Sequence, residues 1–191
     1  NNLPFDMKQQ LCYGCIPTNL AAVLHSAQIK EFDDPFDGRH KDVNESTIIE
    51  LYYKYTICFA SLEKAGLFSI LQFRKCKMET QSARTFDEWW KMVYEHIREG
   101  SYVLLSCFIP NVGIHTVTAY EIDGDVVNVY NPGEGRGSWK RSELERMWLA
   151  SLLDEPDPER HRLNHDILVV TVPTRNVSAT VSEEEEAPSS S

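Results

Sequence analysis

The chain has 191 residues, of which 42% are hydrophobic and 25% charged, a composition typical of one soluble globular domain with a sizeable core. Its formal net charge of −10 repels phosphate backbones and no stripe of basic residues offsets it, so nucleic acid is not expected as a partner. The chain has no run of about 18 or more apolar residues and no secretory signal, which predicts a cytoplasmic protein without a membrane span. Because the chain begins with Asn rather than Met, the cytoplasmic assignment is provisional.

The five cysteines are an odd number without regular spacing, which favours reduced thiols over a disulfide framework: Cys12, Cys15, Cys58, Cys76 and Cys107. Cys12 and Cys15 form a C-x-x-C, a pattern used for zinc and for redox disulfides. No second Cys/His pair at ligand spacing accompanies it and no thioredoxin-like strand precedes it, so we expect neither. The sequence therefore predicts no metal and no cofactor.

The first predicted helix follows an extended lead and begins near Cys15. Apolar residues recur at the spacing of one buried helix face, at Ile16, Leu20, Val23, Leu24 and Ala27. Pro17 supports a start here, because proline lacks an amide hydrogen and is well tolerated in the first turn of a helix. At this position the unpaired N–H groups and the helix dipole favour the thiolate over the thiol. Cys15 is therefore the candidate nucleophile.

A polar stretch, residues 31–46, follows this helix and is predicted to be a solvated loop. Its acidic residues suggest calcium, but Pro35 stands where a calcium-binding loop needs its second oxygen ligand. Helical spacing then runs from Thr47 to about Ala65, with Cys58 inside it, and a short apolar strand is expected over 68–73.

A capping-box pattern at residues 85–88 opens a third helix, which stops at Gly100. The adjacent Trp89 and Trp90 could stack on a ligand. At this helical spacing, core packing is the favoured interpretation.

Three strands are predicted next, over 102–108, 114–121 and 126–130, with Asp123-Gly124 marking a turn between the last two. A three-residue loop with a left-handed Gly124 pairs Val117 with Val129 and Ala119 with Val127, which makes one face uniformly apolar. Continued outward, this register puts His115 directly opposite Asn131, with Cβ atoms roughly 5 Å apart.

The C-terminal third contains a glycine-rich loop, GEGRG, whose spacing does not fit a dinucleotide fingerprint. A helix is predicted from Ser142 through Leu152 and a strand over 166–172. Residues 174–191 have the composition of a disordered acidic and serine-rich tail. The predicted domain therefore spans residues 1–173.

These elements gather the residue types of a thiol hydrolase. A cysteine nucleophile needs a base that holds its proton and later delivers it to the leaving group, and His115 is the best candidate. Asn131 is placed to orient the imidazole. An amide from Gln9 or Gln10, with the Cys15 backbone N–H, is suited to stabilise the developing oxyanion.

The order of these residues resembles the papain-like cysteine peptidases. A glutamine stands six residues before a cysteine at a helix start, and a histidine strand is followed by a strand that ends in Asn-Pro. The bacteriocin-leader-processing (double-glycine) group is most similar, because its nucleophile also precedes a proline and an Ala/Leu-rich helix. The resemblance covers roughly residues 7–30 and 86–150.

The resemblance implies an α+β fold in which the nucleophile helix packs on an antiparallel sheet. It assigns Cys15 as nucleophile, His115 as base, Asn131 as orienting residue and Gln9 as oxyanion donor. Two departures from the group are visible. Ile16 stands where glycine is frequent, and Asn131 replaces the usual aspartate, although papain itself uses asparagine.

The predicted function is cleavage of a peptide or isopeptide bond in a peptide or protein substrate, through an acyl-enzyme on Cys15. Two alternatives remain open. An acyltransferase or deamidase would use the same residues and differ in what the cleft admits. A non-catalytic peptide-binding module predicts that Cys15 is no more reactive than Cys58. The sequence predicts no particular oligomeric state.

Overall fold

Four helices and eight strands lie within the residues that the computed structural model describes, which are 3–12, 14–34, 36–54, 73, 75–109, 113–154 and 166–173. In chain order they are α1 (Cys15–Ser26), β1 (Glu31–Asp33), β2 (His40–Asp42), α2 (Glu45–Lys54), β3 (Lys77–Ser82), α3 (Phe86–Arg98), β4 (Tyr102–Ile109), β5 (Gly113–Asp123), β6 (Val126–Asn131), β7 (Gly135–Lys140), α4 (Arg141–Asp154) and β8 (Asp166–Thr171).

A six-stranded antiparallel sheet forms the middle layer, in the order β3-β8-β4-β5-β6-β7. Helix α1 packs against β5 on one face, and α3 and α4 pack against the other face. The strands of the sheet centre are apolar on both sides, since Leu104 faces the α1 side and Val103 and Leu105 face α3. The predicted α+β class, with the helix that carries Cys15 packed on an antiparallel sheet, is confirmed.

Helix α1 lies deeper than its apolar stripe predicts. Its residues from Pro17 to Leu24 are all buried, including the polar Thr18 and Asn19, because α2 covers the side that β5 leaves open. The helix begins at Cys15, as predicted, and its first turn contains Pro17.

Helix α3 forms as its capping signal predicts. The Thr85 side chain accepts a hydrogen bond from the Glu88 backbone N–H at 3.2 Å, and Gly100 ends the turn with φ of +92°. Trp89 and Trp90 are 3% and 7% exposed and pack with Phe86, which confirms their place in the core.

The β5–β6 register differs from the predicted one. The turn residues are Gly124 and Asp125, since Asp123 pairs with Val126, and Ala119 pairs with Val129 instead of Val127. Gly124 is left-handed as predicted, with φ of +55°.

A β-bulge between Ala119 and Glu121 explains the difference. Strict alternation would place Val117 and Ala119 on one face and Ile122 on the other. The extra residue in the bulge restores Ile122 to the same buried cluster as Val117 and Ala119.

The bulge also changes the pairing of the predicted site residues. Thr118 pairs with Tyr130, so the register, continued by one residue, places Asn131 level with Val117 and not with His115. His115 lies two residues farther along β5, on the same face, where a diagonal neighbour is within reach of a long side chain.

Other predictions need correction or lie outside the described residues. The glycine-rich segment, predicted as a loop, enters strand β7, and the polar stretch after α1 contains the β1–β2 hairpin. Strand β3 was not predicted, because its sequence KMETQS carries little apolar signal. The predicted helix beyond residue 54, Cys58, the strand over 68–73 except Phe73, and the tail 174–191 lie outside the described residues.

Candidate active site

Cys15 is the first residue of α1 and is partly buried. The helix starts without a side-chain cap, and the Gly14 carbonyl accepts the first intrahelical hydrogen bond from the Thr18 N–H at 3.0 Å. The N–H groups of the first turn are therefore oriented toward the Cys15 end of the helix, where they favour negative charge on sulfur.

His115 and Asn131 are joined by a hydrogen bond. The His115 ring donates from Nε2 to Asn131 Oδ1 at 2.9 Å, which leaves Nδ1 as the nitrogen available to the thiol. Asn131 Oδ1 also accepts from the Gly133 N–H at 3.0 Å. The tight turn after β6 thus holds the amide oxygen in place, and that oxygen fixes the ring.

The electrostatics of the site favour a charged pair. Burial raises the pKa of the Cys15 thiol, but the hydrogen bond with His115, the backbone hydrogen bond from Thr116 and the charge of His115 together lower it below its ordinary value. The hydrogen bond with Cys15 raises the pKa of His115, burial opposes it, and the Asn131 hydrogen bond adds to the increase. Thiolate and imidazolium therefore stabilise each other.

Two other thiols, those of Cys76 and Cys107, behave differently. Burial raises the pKa of Cys107 to about 12 and also raises the pKa of Cys76. Since the thiolate is the nucleophile, Cys15 is the most activated thiol of these three.

Asn19 is a buried residue of α1 that hydrogen-bonds both to its own helix and to strand β5. Its Nδ2 donates to the carbonyl oxygens of Cys15 and Thr116, at 2.6 and 2.9 Å. Its Oδ1 accepts from the Thr118 hydroxyl at 2.6 Å. Every hydrogen-bonding group of this amide is used, and Thr116 directly follows His115, so the contact fixes the separation of Cys15 and His115.

Gln9 lies beside the Asn131 turn, because its backbone N–H donates to the Pro132 carbonyl at 2.8 Å. Its side-chain amide donates to the Leu11 carbonyl at 2.5 Å, and the Gln10 amide donates to the Lys8 carbonyl at 3.3 Å. An amide nitrogen carries two hydrogens, so the Gln9 side chain retains one for a ligand.

Sequence reasoning missed three polar contributors to this site. Asn19 had a signal, since Thr18 and Asn19 interrupt an otherwise apolar helix and buried polar groups need partners. Thr116 and Glu45 had none, because their roles depend on contacts with residues far away in the chain.

Within the described residues no group of three or more His, Cys, Asp or Glu side chains is arranged to hold a metal ion. None of the helices in this part of the chain combines the length and apolar character that crossing a membrane requires.

Comparison with solved structures identifies the fold of this chain. No protein-family model and no curated protein sequence matches the chain. Among solved structures, a protein described as a C39-like peptidase from Bacillus anthracis matches with a TM-score of 0.50 and 15% identity, over 91% of this chain and 98% of that one. A fragment of prointerpain A from Prevotella intermedia matches with a TM-score of 0.51 and 12% identity, over 91% of this chain and 72% of that one.

A double glycine motif protease, solved in complex with a leader peptide, also matches, with a TM-score of 0.47 and 11% identity over 87% of this chain and 89% of that one. The two higher-scoring matches share the helix-on-sheet architecture described above. The chain has a papain-like peptidase fold.

Proposed function

We propose that the protein is a papain-like cysteine peptidase that cleaves a peptide or isopeptide bond through an acyl-enzyme on Cys15. The observation that carries this proposal is the connected set formed by Cys15, His115 and Asn131, in which the thiol pKa is lowered and the imidazole pKa is raised. A buried core cysteine would show the opposite shift, as Cys107 does.

In the proposed reaction the Cys15 thiolate attacks the carbonyl carbon of the scissile bond. The Cys15 backbone N–H and the free amide hydrogen of Gln9 stabilise the oxyanion that forms. His115 then donates its proton to the leaving amine, and the carbon–nitrogen bond breaks to give a thioester. Water attacks the thioester with His115 as base, which releases the acid and restores the thiol.

Asn131 is proposed to keep the imidazole in the orientation and tautomer that this sequence of steps requires. The substrate is proposed to be an extended peptide or protein segment that enters beside α1 and the ends of β5 and β6. We also propose that the protein acts in the cytoplasm and that residues 1–173 form the catalytic domain.

The test is intact-protein mass spectrometry after brief treatment with iodoacetamide at neutral pH. We expect one alkyl group on Cys15 before any on Cys76 or Cys107, because the thiol pKa is lowered at Cys15 and raised by burial at the other two. Cys15→Ala should fold normally and lose both this labelling and any peptide cleavage. Equal labelling of Cys15 and Cys107 in the native protein would contradict the proposal.

A second measurement separates hydrolysis from acyl transfer. A hydrolase releases the free acid from its acyl-enzyme without any added amine, whereas a transferase needs a primary amine acceptor, such as a lysine-containing peptide. If Cys15 proves acylated but water does not release the acyl group until an amine is added, the same residues serve a transferase.

A further inference from the structure

Glu45, the first residue of α2, contacts the loop that precedes Cys15. It is only 8% exposed, and its carboxylate faces three donors. The Gln10 and Leu11 backbone N–H groups donate to its two oxygens at 2.6 and 2.8 Å, and the Thr18 hydroxyl lies 3.1 Å from one of them. Burial of a carboxylate is costly unless its oxygens are hydrogen-bonded. Here the bonds reach Leu11, 34 residues away in the chain, so Glu45 holds the loop before Cys15 against α2.

The Leu11 peptide connects Glu45 to the proposed oxyanion donor. Its N–H is held by Glu45, and its carbonyl oxygen accepts from the Gln9 side-chain amide at 2.5 Å and from the Gly14 N–H at 3.0 Å. The orientation of the Gln9 amide therefore depends on a peptide that Glu45 fixes.

The same carboxylate contacts the residue before the nucleophile. A Cβ built on Gly14 would lie 2.2 Å from Glu45 Oε1, so the carboxylate occupies the space that a side chain would need. The backbone of Gly14, with φ of −91° and ψ of 10°, is accessible to any residue. Glycine leaves room here for the Glu45 carboxylate, which a larger residue would displace, and the backbone conformation does not call for glycine.

We propose that Glu45 is a positioning residue that holds the Gln9 amide and the Cys15 backbone N–H at the spacing that binds an oxyanion. This inference rests on the proposed function. A carboxylate suits the task because it only accepts hydrogen bonds, whereas the amide of glutamine would direct its NH2 group at one of the two backbone N–H donors.

Glu45 does not contact the groups that activate the thiol. Those contacts come from β5, through His115 and Thr116. Loss of Glu45 should therefore impair reactions that pass through an oxyanion and spare reactions that require only the thiolate.

Two reagents separate these cases without knowledge of the substrate. With iodoacetamide the thiolate forms a carbon–sulfur bond as iodide leaves, and no oxyanion arises. With p-nitrophenyl acetate the thiolate adds to the ester carbonyl, and the tetrahedral oxyanion collapses to S-acetyl Cys15 as the carbon–oxygen bond breaks and p-nitrophenolate leaves with the electron pair.

We expect Glu45→Gln to slow acetylation of Cys15 by on the order of 100-fold, the effect of losing one oxyanion donor, and to change alkylation by less than about twofold. Asp34→Asn is the matched control. Asp34 is also buried, at 2% exposed, and accepts a backbone N–H from Phe36 at 2.8 Å, but it holds the β1–β2 loop. This control should leave both rates unchanged.

Gly14→Ala is a second variant, which displaces the carboxylate without removing it and should give the same selective loss. Equal losses of acetylation and alkylation in both variants would show that Glu45 only maintains the fold, and unchanged acetylation would likewise overturn the inference. A wild-type protein whose Cys15 reacts with neither reagent would refute the proposed function itself.

Discussion

Cys15 and His115 change each other's ionisation, and this coupling sets the pH range in which the proposed reaction can run. The thiol pKa is lowered, so the thiolate persists at pH values below the ordinary value of 9.0. The imidazole pKa is raised, so the proton needed by the leaving group is retained to higher pH than in a free histidine. The two shifts move the titrations of the thiol and the imidazole toward each other, so the thiolate–imidazolium pair is more populated than it would be for an uncoupled cysteine and histidine.

The first prediction concerns the pH dependence of Cys15 alkylation. In His115→Ala the two lowering contributions from the imidazole disappear while the raising effect of burial remains, so the alkylation profile should move to higher pH. At pH 7 a thiol with a pKa of about 9 is roughly 1% ionised, which predicts a large fall in rate at that pH.

The measurement is the rate of iodoacetamide labelling of Cys15 at a series of pH values, read by mass spectrometry. Cys107 is an internal control, since burial keeps its pKa at about 12 and it should stay unlabelled in both proteins. Identical profiles for wild type and His115→Ala would show that the two side chains are not coupled.

Sequence patterns could identify Cys15, His115 and Asn131 because each lies beside a recognisable local pattern. A proline in the first helical turn marks the cysteine, an alternating strand marks the histidine, and an Asn-Pro step marks the end of β6. Glu45 is marked by no such pattern, and the polar interruption of an apolar helix at Asn19 does not reveal which residues this amide contacts. The partners of Glu45 lie 27, 34 and 35 residues away and those of Asn19 in β5 lie 97 and 99 residues away.

Among the elements, the β5–β6 hairpin shows where pattern reasoning fails. Period-two alternation describes β5 up to Ala119, but Ile122 is out of phase, and a strict ladder would expose it to the opposite face. Burial of Ile122 with Val127 is gained by one bulge, a local change that no residue type in the sequence signals. The pairing of Asn131 moves by two residues, from His115 to Val117, so His115 and Asn131 still lie on the same face of the sheet.

The second prediction concerns the hydrogen bonds by which Asn19 connects α1 to β5. Asn19→Ala removes a fully buried amide and leaves the Thr116 carbonyl and the Thr118 hydroxyl without their partner. Each buried polar group left unpaired costs about 1–3 kcal/mol, so the free energy of unfolding should fall by a few kcal/mol. Urea denaturation followed by tryptophan fluorescence measures this change.

Asn128→Ala is a matched control, because Asn128 also bridges strands, through Glu121 and Ser138, but lies in exposed surroundings. It should cost less than about 0.5 kcal/mol. If Asn19 sets the Cys15–His115 separation, its variant should also alkylate more slowly at neutral pH, whereas a purely structural amide would leave the rate of the folded protein unchanged.

For the whole molecule, the position of β8 determines where the folded unit can end. This strand, the last in the described part of the chain, lies between β3 and β4 in the sheet, and its residues Ile167 to Val170 are at most 4% exposed. The chain must therefore be intact through β8 before the sheet can form. The segment that follows, 174–191, has one arginine and four glutamates among mostly small and polar residues.

The third prediction is that truncation after Pro173 changes the melting temperature by less than about 2 °C, because the removed segment has too few apolar groups to offset the entropy of ordering it. The formal net charge would change from −10 to −7, since the segment contributes one positive and four negative charges. Scanning calorimetry of the two proteins at 0.15 M salt measures the difference.

Truncation before Asp166, which also removes β8, is the contrasting variant and should abolish the cooperative transition. A drop of several degrees on removing the tail alone would show that the acidic segment packs on the domain, and the domain boundary would then lie beyond residue 173.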